Sequence, residues 1–262
     1  MIIRRRLPAR GIVLFLFLAA AAAAAAQPRS GTPSAGMRLG FRVDYFSQTV
    51  SWDDPGEAST SDLSSALAAA VLQFPLGRGS SISIFGGYAT ADIGGLMFRS
   101  LPFSIDYQAG AGGGAALGGL FDLVLAAGPP VRVDVQGEIT ALLGSAKKRD
   151  IPGLAVDGTL EAKVSWFRAR VGPVFGFGAE DRVTPYLFPF FHYIWGSFEL
   201  RESIESLSGE EKKDLEGKSL FGIAGGLDIP LSPGLKLRAE AAVYPGSGGT
   251  GYSATLATMF SF

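Results

Sequence analysis

From Met37 to Tyr45 the chain alternates strictly. Met37, Leu39, Phe41, Val43 and Tyr45 share one parity, and Arg38, Gly40, Arg42 and Asp44 share the other. Successive side chains of a strand point to opposite faces, so this stretch predicts a strand with one apolar and one charged face. The same period returns in Val131, Val133, Val135, Ile139, Ala141 and Leu143 against Arg132, Asp134, Gln136, Glu138 and Thr140. It returns again in Leu235, Leu237, Ala239, Ala241 and Val243 against Lys236, Arg238 and Glu240. Between these lie an alanine-rich strand over 62–74 and a strand over 80–91. A further strand over 105–125 has an inner row of Gln108, Gly110, Gly112, Gly114, Gly118 and Asp122, whose glycines are expected to leave space.

Two stretches break the rule. A strand beginning near Val156 sets Val156, Leu160, Ala162, Val164 and Trp166 against Asp157, Thr159, Glu161, Lys163 and Ser165, but Arg168 and Arg170 then fall on the apolar parity. That slip predicts a bulge near Trp166 and Phe167, or the point where the strand leaves its environment. The stretch 184–200 is aromatic on both parities, which leaves its apolar face unassigned. A strand over 219–229, carrying Asp228, and a closing strand complete a count of ten, with eight and twelve as alternatives. Polar loops are expected over 47–61 and 147–153. The loop 92–104 is apolar through Leu96, Met97, Phe98, Leu101, Pro102 and Phe103, which suggests a contact surface or a plug, with packing against other loops or a misplaced strand boundary as the commoner explanations of such a loop. The charged stretch 201–218 reads as an exposed loop, with Ser208 and Glu211 spaced as a capping box for a short helical turn.

Charges at every second residue cannot face lipid, where each costs ~2–4 kcal/mol near the midplane. If the apolar rows do face lipid, the charged rows face a lumen, and only a closed barrel satisfies the backbone inside a bilayer. The alternative is a soluble sandwich or lipocalin-like barrel, whose strands alternate equally well. The last twelve residues favour the membrane. Tyr252, Ala254, Leu256, Thr258, Phe260 and Phe262 form a mostly large apolar row ending on an aromatic residue. Here the chain resembles the bacterial outer-membrane β-barrel proteins of the OmpA-type small-barrel group. The resemblance implies an all-β, transmembrane, antiparallel up-and-down barrel of a Gram-negative-type bacterium. It also implies that Tyr252, Leu256, Phe260 and Phe262 form the signal read by the outer-membrane insertion machinery. Short connections after strands two, four, six and eight, and longer ones after the odd strands, fit periplasmic turns and outer loops.

The N-terminal stretch fits an exported protein. Arg4, Arg5, Arg6 and Arg10 precede an apolar run from Gly11 to Ala26 that is shorter than the ~20 residues of a spanning helix, and Ala24, Ala25 and Ala26 offer a cleavage site. The expected organisation is a signal peptide over 1–26, a periplasmic linker over 27–35 and a barrel domain over 36–262. Without the leader, which holds four of the 23 basic residues and none of the 24 acidic ones, the net charge is −5. Such a chain is no nucleic-acid binder by its electrostatics. It has no cysteine, hence no disulfide and no lipoprotein anchor.

The expected lumen row holds Arg38, Arg42, Arg132, Lys163, Lys236 and Arg238 with Asp44, Asp122, Asp134, Glu138, Asp157, Glu161, Asp228 and Glu240. Near-balance of sign in a narrow interior predicts mutual pairing, Arg132 with Glu138 for example, rather than the unbalanced rings of a selective pore. Metal ligands and cofactor motifs are not expected, since the only histidine is His192 and the carboxylates of 202–216 lack a calcium-loop spacing. The resemblance also brings three enzymatic patterns to test. The phospholipase pattern needs Asn, and the chain has none. The lipid A deacylase pattern His-x-Ser meets Ile194, and the protease pattern Asp-x-His meets Phe190. The aromatics Tyr45, Trp52, Tyr88, Tyr107, Trp166, Trp195, Tyr244, Tyr252, Phe260 and Phe262 are expected in interfacial girdles. The sequence therefore points to a non-catalytic barrel acting in envelope integrity or, through its outer loops, in binding or adhesion. A porin-like passive pore is the alternative, and a lipid-acting enzyme ranks third. Its expected partners are outer-membrane lipid and lipopolysaccharide, and an extracellular ligand.

Overall fold

The computed structural model describes residues 36–54, 57–77, 79–99, 101, 105–107, 112–128, 130–151, 157–178, 182–232, 234–246 and 248–261. Fourteen strands form among them. They are β1 (Arg38–Asp54), β2 (Glu57–Gly77), β3 (Ser80–Ile93), β4 (Leu96–Phe98), β5 (Ile105–Tyr107), β6 (Gly113–Ala126) and β7 (Val131–Gly144), then β8 (Lys147–Asp150), β9 (Gly158–Phe177), β10 (Thr184–Ile204), β11 (Leu207–Gly217), β12 (Phe221–Ser232), β13 (Leu235–Gly246) and β14 (Gly249–Ser261). Ten of these close a ring in the order β1-β2-β3-β6-β7-β9-β10-β12-β13-β14, every neighbour antiparallel, with β14 returning to β1 from Arg38↔Ser261 to Ser47↔Tyr252. The expected ten-stranded up-and-down barrel is the observed wall.

Of the other four strands, β4, β8 and β11 were expected as loops, and β5 as the start of the strand over 105–125. β1 and β2 pair without interruption through the expected polar loop, from Arg38↔Gln73 to Asp54↔Glu57. β8 lies along β9, and β4 pairs with β5. The predicted helical turn at Ser208 is instead β11, an arm of a hairpin with β10. β11 crosses to β1 as well, pairing Val50↔Gly217 through Trp52↔Leu215. The ring is therefore closed twice. At the terminal end β1 meets β14, and at the far end it meets β11, which takes the place of three strands.

The length of the strands explains the apparent slip. A membrane strand needs ~9–11 residues, whereas β1 has 17, β9 has 20 and β10 has 21. Both flanks of β9 stay in register through Trp166 and Phe167, so there is no bulge there. What changes is the environment. Near the terminal end, Leu39, Phe41, Val43 and Tyr45 of β1 point outward and are exposed, while Arg42 and Asp44 are buried. Beyond Tyr45 the sense reverses: Phe46, Val50 and Trp52 are buried, and Ser47, Thr49 and Ser51 take the outer row. β9 does the same, with Ala162, Val164, Trp166, Arg168 and Arg170 all inside. The expectation that Glu161 and Lys163 face the lumen is thus corrected. In β10 the even row faces inward from Tyr186 to Ile204, and Leu187 and Phe191 are exposed outside.

The far interior is an apolar core built from Phe46, Val50, Trp52, Leu63, Leu142, Val164, Trp166, Ile194, Phe198 and Leu200 among others. Leu96, Phe98 and Leu101 of the apolar loop are inserted in it, with Phe98 packed 5.6 Å from Phe198. The loop is therefore packed inside against other elements of the far end and is not an exposed contact surface. The inner glycines do not leave a bore either. A Cβ at Gly118 would lie 2.1 Å from Phe85 Cζ, because the Phe85 ring occupies that space. Gly110 lies outside the described residues.

Candidate functional site: a sealed lumen and a charged chamber

Below the apolar core the lumen is crossed by a layer of three arginines and three carboxylates. Arg42 donates to both oxygens of Glu138 at 3.0 and 2.8 Å and to Asp44 at 2.7 Å. Arg168 donates to Asp44 at 3.0 Å, and Arg170 donates to Glu138 at 2.9 Å and to Glu240 at 2.5 Å. Thr255, Thr140 and Tyr186 hydroxyls donate to Asp44, Glu138 and Glu240. All six charged side chains are buried. Such pairing offsets the desolvation each group would otherwise suffer. The guanidinium faces are covered too, Arg168 by Phe46 at 4.7 Å and Arg42 by Phe85 at 5.0 Å. Four of the expected lumen residues, Arg42, Asp44, Glu138 and Glu240, meet here. Their partners Arg168 and Arg170 were set aside in the sequence because they share a parity with Trp166.

On the terminal side of this layer is a chamber of about 360 Å³. Seven more expected residues line it: Arg38, Asp122, Arg132, Asp134, Asp228, Lys236 and Arg238. Arg132 pairs with Asp134 at 2.8 Å, not with Glu138, and Arg238 pairs with Asp228 at 2.7 Å. Arg238 also stacks 4.7 Å over Tyr186, whose ring sits where Gly226 has no side chain. The remaining three are elsewhere. Asp157 is exposed at the foot of β9, Glu161 lies opposite Lys148 of β8, and Lys163 is on the outer surface, 3.9 Å from Glu199. They belong to the part of the wall whose outer face is polar.

His192 is inside the barrel near the far rim of β12. Its Nε2 lies 3.2 Å from Ser219 Oγ, and Ser219 Oγ donates to the carbonyl of Phe221 or Pro245, both at 2.8 Å. Both side chains are buried, and His192 Nδ1 meets no described partner. The pair joins β10 to the strand end where β11 and β12 part. No helix among the described residues is long and apolar enough to cross a membrane, and no described group of His, Asp and Glu is arranged to hold a metal.

The outer surface decides the setting. Leu39, Phe41, Val43, Phe74, Ile84, Leu117, Leu143, Phe191, Phe221, Ile223, Leu227, Val243 and Leu256 are all exposed, and they lie on strands all round the closed ring. A soluble barrel does not present a continuous apolar belt over a charged interior. The chain is an integral outer-membrane β-barrel. The chain's terminal end and the turns after β2, β6, β9 and β12 lie on one side of the belt, and the long strands extend past it on the other. Tyr45, Tyr88 and Tyr252 are exposed at the outer edge of the belt, Tyr45 and Tyr252 with ring centroids 6.0 Å apart. Trp52, Trp166 and Tyr244, expected in the same girdle, are instead buried inside. Their strands continue past the interface, so a position near a strand end is not a position near lipid. The side chain of Tyr107 lies outside the described residues. Of the expected insertion signal, Tyr252 and Leu256 are exposed on the belt and Phe260 is half-buried at its lower edge, while Phe262 lies outside the described residues.

No family model and no curated protein matches the chain. Solved structures with a similar fold include the outer membrane protease OmpT from Escherichia coli, with 12% identity and a TM-score of 0.46 over 90% of this chain and 99% of that one. The translocator domain of the autotransporter NalP from Neisseria meningitidis has 9% identity and a TM-score of 0.46, over 97% and 96%. Ail, the attachment invasion locus protein of Yersinia pestis, has 11% identity and a TM-score of 0.32, over 86% and 98%. These are likenesses of architecture, and none of their activities carries over.

Proposed function

We propose that this barrel is non-catalytic and does not conduct, and that it acts through the part that projects beyond the membrane, as a surface for binding or adhesion and a contributor to envelope integrity. The observation that carries this reading is the double obstruction of the lumen. A solute entering from the periplasm meets the Arg42, Arg168 and Arg170 layer, and beyond it the apolar core closed by Leu96, Phe98 and Leu101. The projecting surface is a sheet of Ser, Thr and paired charges, including Arg201 with Glu210 at 2.7 Å, which suits recognition of a polar ligand or of lipopolysaccharide. In this reading residues 1–26 are the cleaved leader, 27–35 the linker, and Phe262 with Tyr252, Leu256 and Phe260 the insertion signal. The lumen charges serve packing and no catalysis. Single-channel recording of the full-length mature chain in planar bilayers tests it. Inserted but silent protein is expected, and discrete, reproducible openings would move the function to transport.

A further inference from the structure

The chamber on the terminal side of the arginine layer is a blind pocket. Arg42 is part of its ceiling, and Gly77, Gly178 and Pro230, where β2, β9 and β12 run out, are part of its rim. It is approached from the terminal end and stops at the layer. The layer itself is balanced, three arginines against three carboxylates.

The chamber is not balanced, and its charges are sorted around the ring. Its carboxylates stand on β6, β7 and β12, and arginine serves all of them. Arg132 pairs with Asp134 at 2.8 Å, Arg238 pairs with Asp228 at 2.7 Å, and Asp122 lies beside both guanidinium groups. The opposite arc runs from the end of β13 through β14, β1, β2 and β3. There the chamber holds two further bases, Lys236 and Arg38, and no carboxylate among its described lining. Lys236 is exposed at the mouth and makes no ion pair with a described residue. Arg38 is half-buried, and its described hydrogen bond goes to a neutral group, the side-chain carbonyl of Gln73 at 3.3 Å. The two bases are one strand and one inward step apart, because Lys236 and Gly40 both pair with Met259 of β14. Met259 folds sideways over Gly40, where a Cβ would lie 2.5 Å from its Sδ, and so lies along the wall. Beside the bases the arc carries neutral polar groups: Gln73 Nε2, which donates to Ser81 at 2.9 Å, and the hydroxyl of Ser83.

We propose that this arc is a binding site for a small organic phosphate, a sugar-sized polar molecule carrying one phosphate group. The phosphate sits between Lys236 and Arg38, and the hydroxyl-bearing part faces Gln73, Ser81 and Ser83. Two cations on separate strands suit a group with a charge of about −1.5 to −2 and several acceptor oxygens. Asp134 and Asp228 on the far side repel the phosphate and keep it on this arc, while Arg132 and Arg238 are held by those carboxylates and do not compete for it. The volume of about 360 Å³ is that of a small-ligand pocket. The site is separate from the projecting surface and does not depend on how that surface acts.

The test is calorimetric titration of glucose 6-phosphate into the full mature chain, refolded in uncharged dodecyl maltoside micelles at low salt. Saturable one-to-one binding is expected, with no binding of glucose. Lys236→Gln and Arg38→Gln are each expected to weaken it about tenfold, the worth of one charge-assisted hydrogen bond. Lys147→Gln, which removes an exposed lysine on the far side of the belt, is expected to leave it unchanged. The heat-modified gel shift reports whether each variant is folded, and if Arg38→Gln does not fold, the exposed Lys236 decides alone. Absence of saturable binding, or unchanged binding by Lys236→Gln, would overturn the site. An equal loss with Lys147→Gln would reduce it to general surface charge, and gluconate or glucose bound as tightly would overturn the phosphate assignment.

Discussion

Arg42 and Glu138 are 96 residues apart in sequence and stand on β1 and β7, with three strands of the ring between them, yet they share two hydrogen bonds of 2.8 and 3.0 Å across the lumen. The bond fixes the barrel's cross-section as well as its charge. Because Glu138 also holds Arg170, Glu138→Gln leaves three buried guanidinium groups facing two carboxylates. A loss of about 3–5 kcal/mol is expected from uncovering a buried charge. Denaturant titration in vesicles, read by the heat-modified gel shift, checks it. Arg42→Gln combined with Glu138→Gln is expected to cost less than the sum of the two single changes, since the pair acts as a unit.

The reversal of the faces along β1 makes a second prediction. Val43 lies in the lipid belt and Ser47, on the same face four residues on, lies above it. Val43→Lys is expected to lower stability by ~2–4 kcal/mol. Ser47→Lys is expected to stay within ~0.5 kcal/mol, as surface changes do. Equal folded yields of the two variants would misplace the membrane boundary.

Ring-over-glycine packing makes a third. A Cβ at Gly226 would lie 2.3 Å from Tyr186 Cζ, so Gly226→Val must displace the ring that stacks on Arg238 and bonds Glu240. Overpacking of this kind costs ~1–3 kcal/mol. The effect should shrink in a Tyr186→Ala background, measured by the same titration.

The fourth concerns the tip of the projecting hairpin. Glu205, in the two-residue turn between β10 and β11, has φ of 51°. That conformation suits glycine in such turns. Glu205→Gly is expected to stabilise the hairpin by about 1 kcal/mol, seen as slower proteolysis between Ile204 and Leu207.

The ten-stranded wall was legible because period two survives wherever one face meets lipid and the other a polar interior. Where the strands leave the bilayer, period two persists but its meaning inverts, and sequence parity alone cannot report which solvent lies on which side. That single ambiguity hid several features. It sent Glu161 and Lys163 to the lumen, removed Arg168 and Arg170 from it, and put Trp52 and Trp166 in a girdle. The charge-rich 201–218 stretch read as a loop because its inward row, with Lys213 and Leu215 buried, is interrupted by outward charges on every other position. The pairing of Arg42 with Glu138 was visible only as a balance of sign, since the ring's order and stagger choose the partners.

Closure of β1 by β14 below and by β11 above gives the molecule a taper. Wall circumference follows strand number, and one strand does above the membrane what three do within it. Parting of the first and last strands would thereby be confined to the terminal half, because the far rim is laced shut by a strand that takes no part in that joint. The crown of the tube is thus closed independently of the joint between its first and last strands.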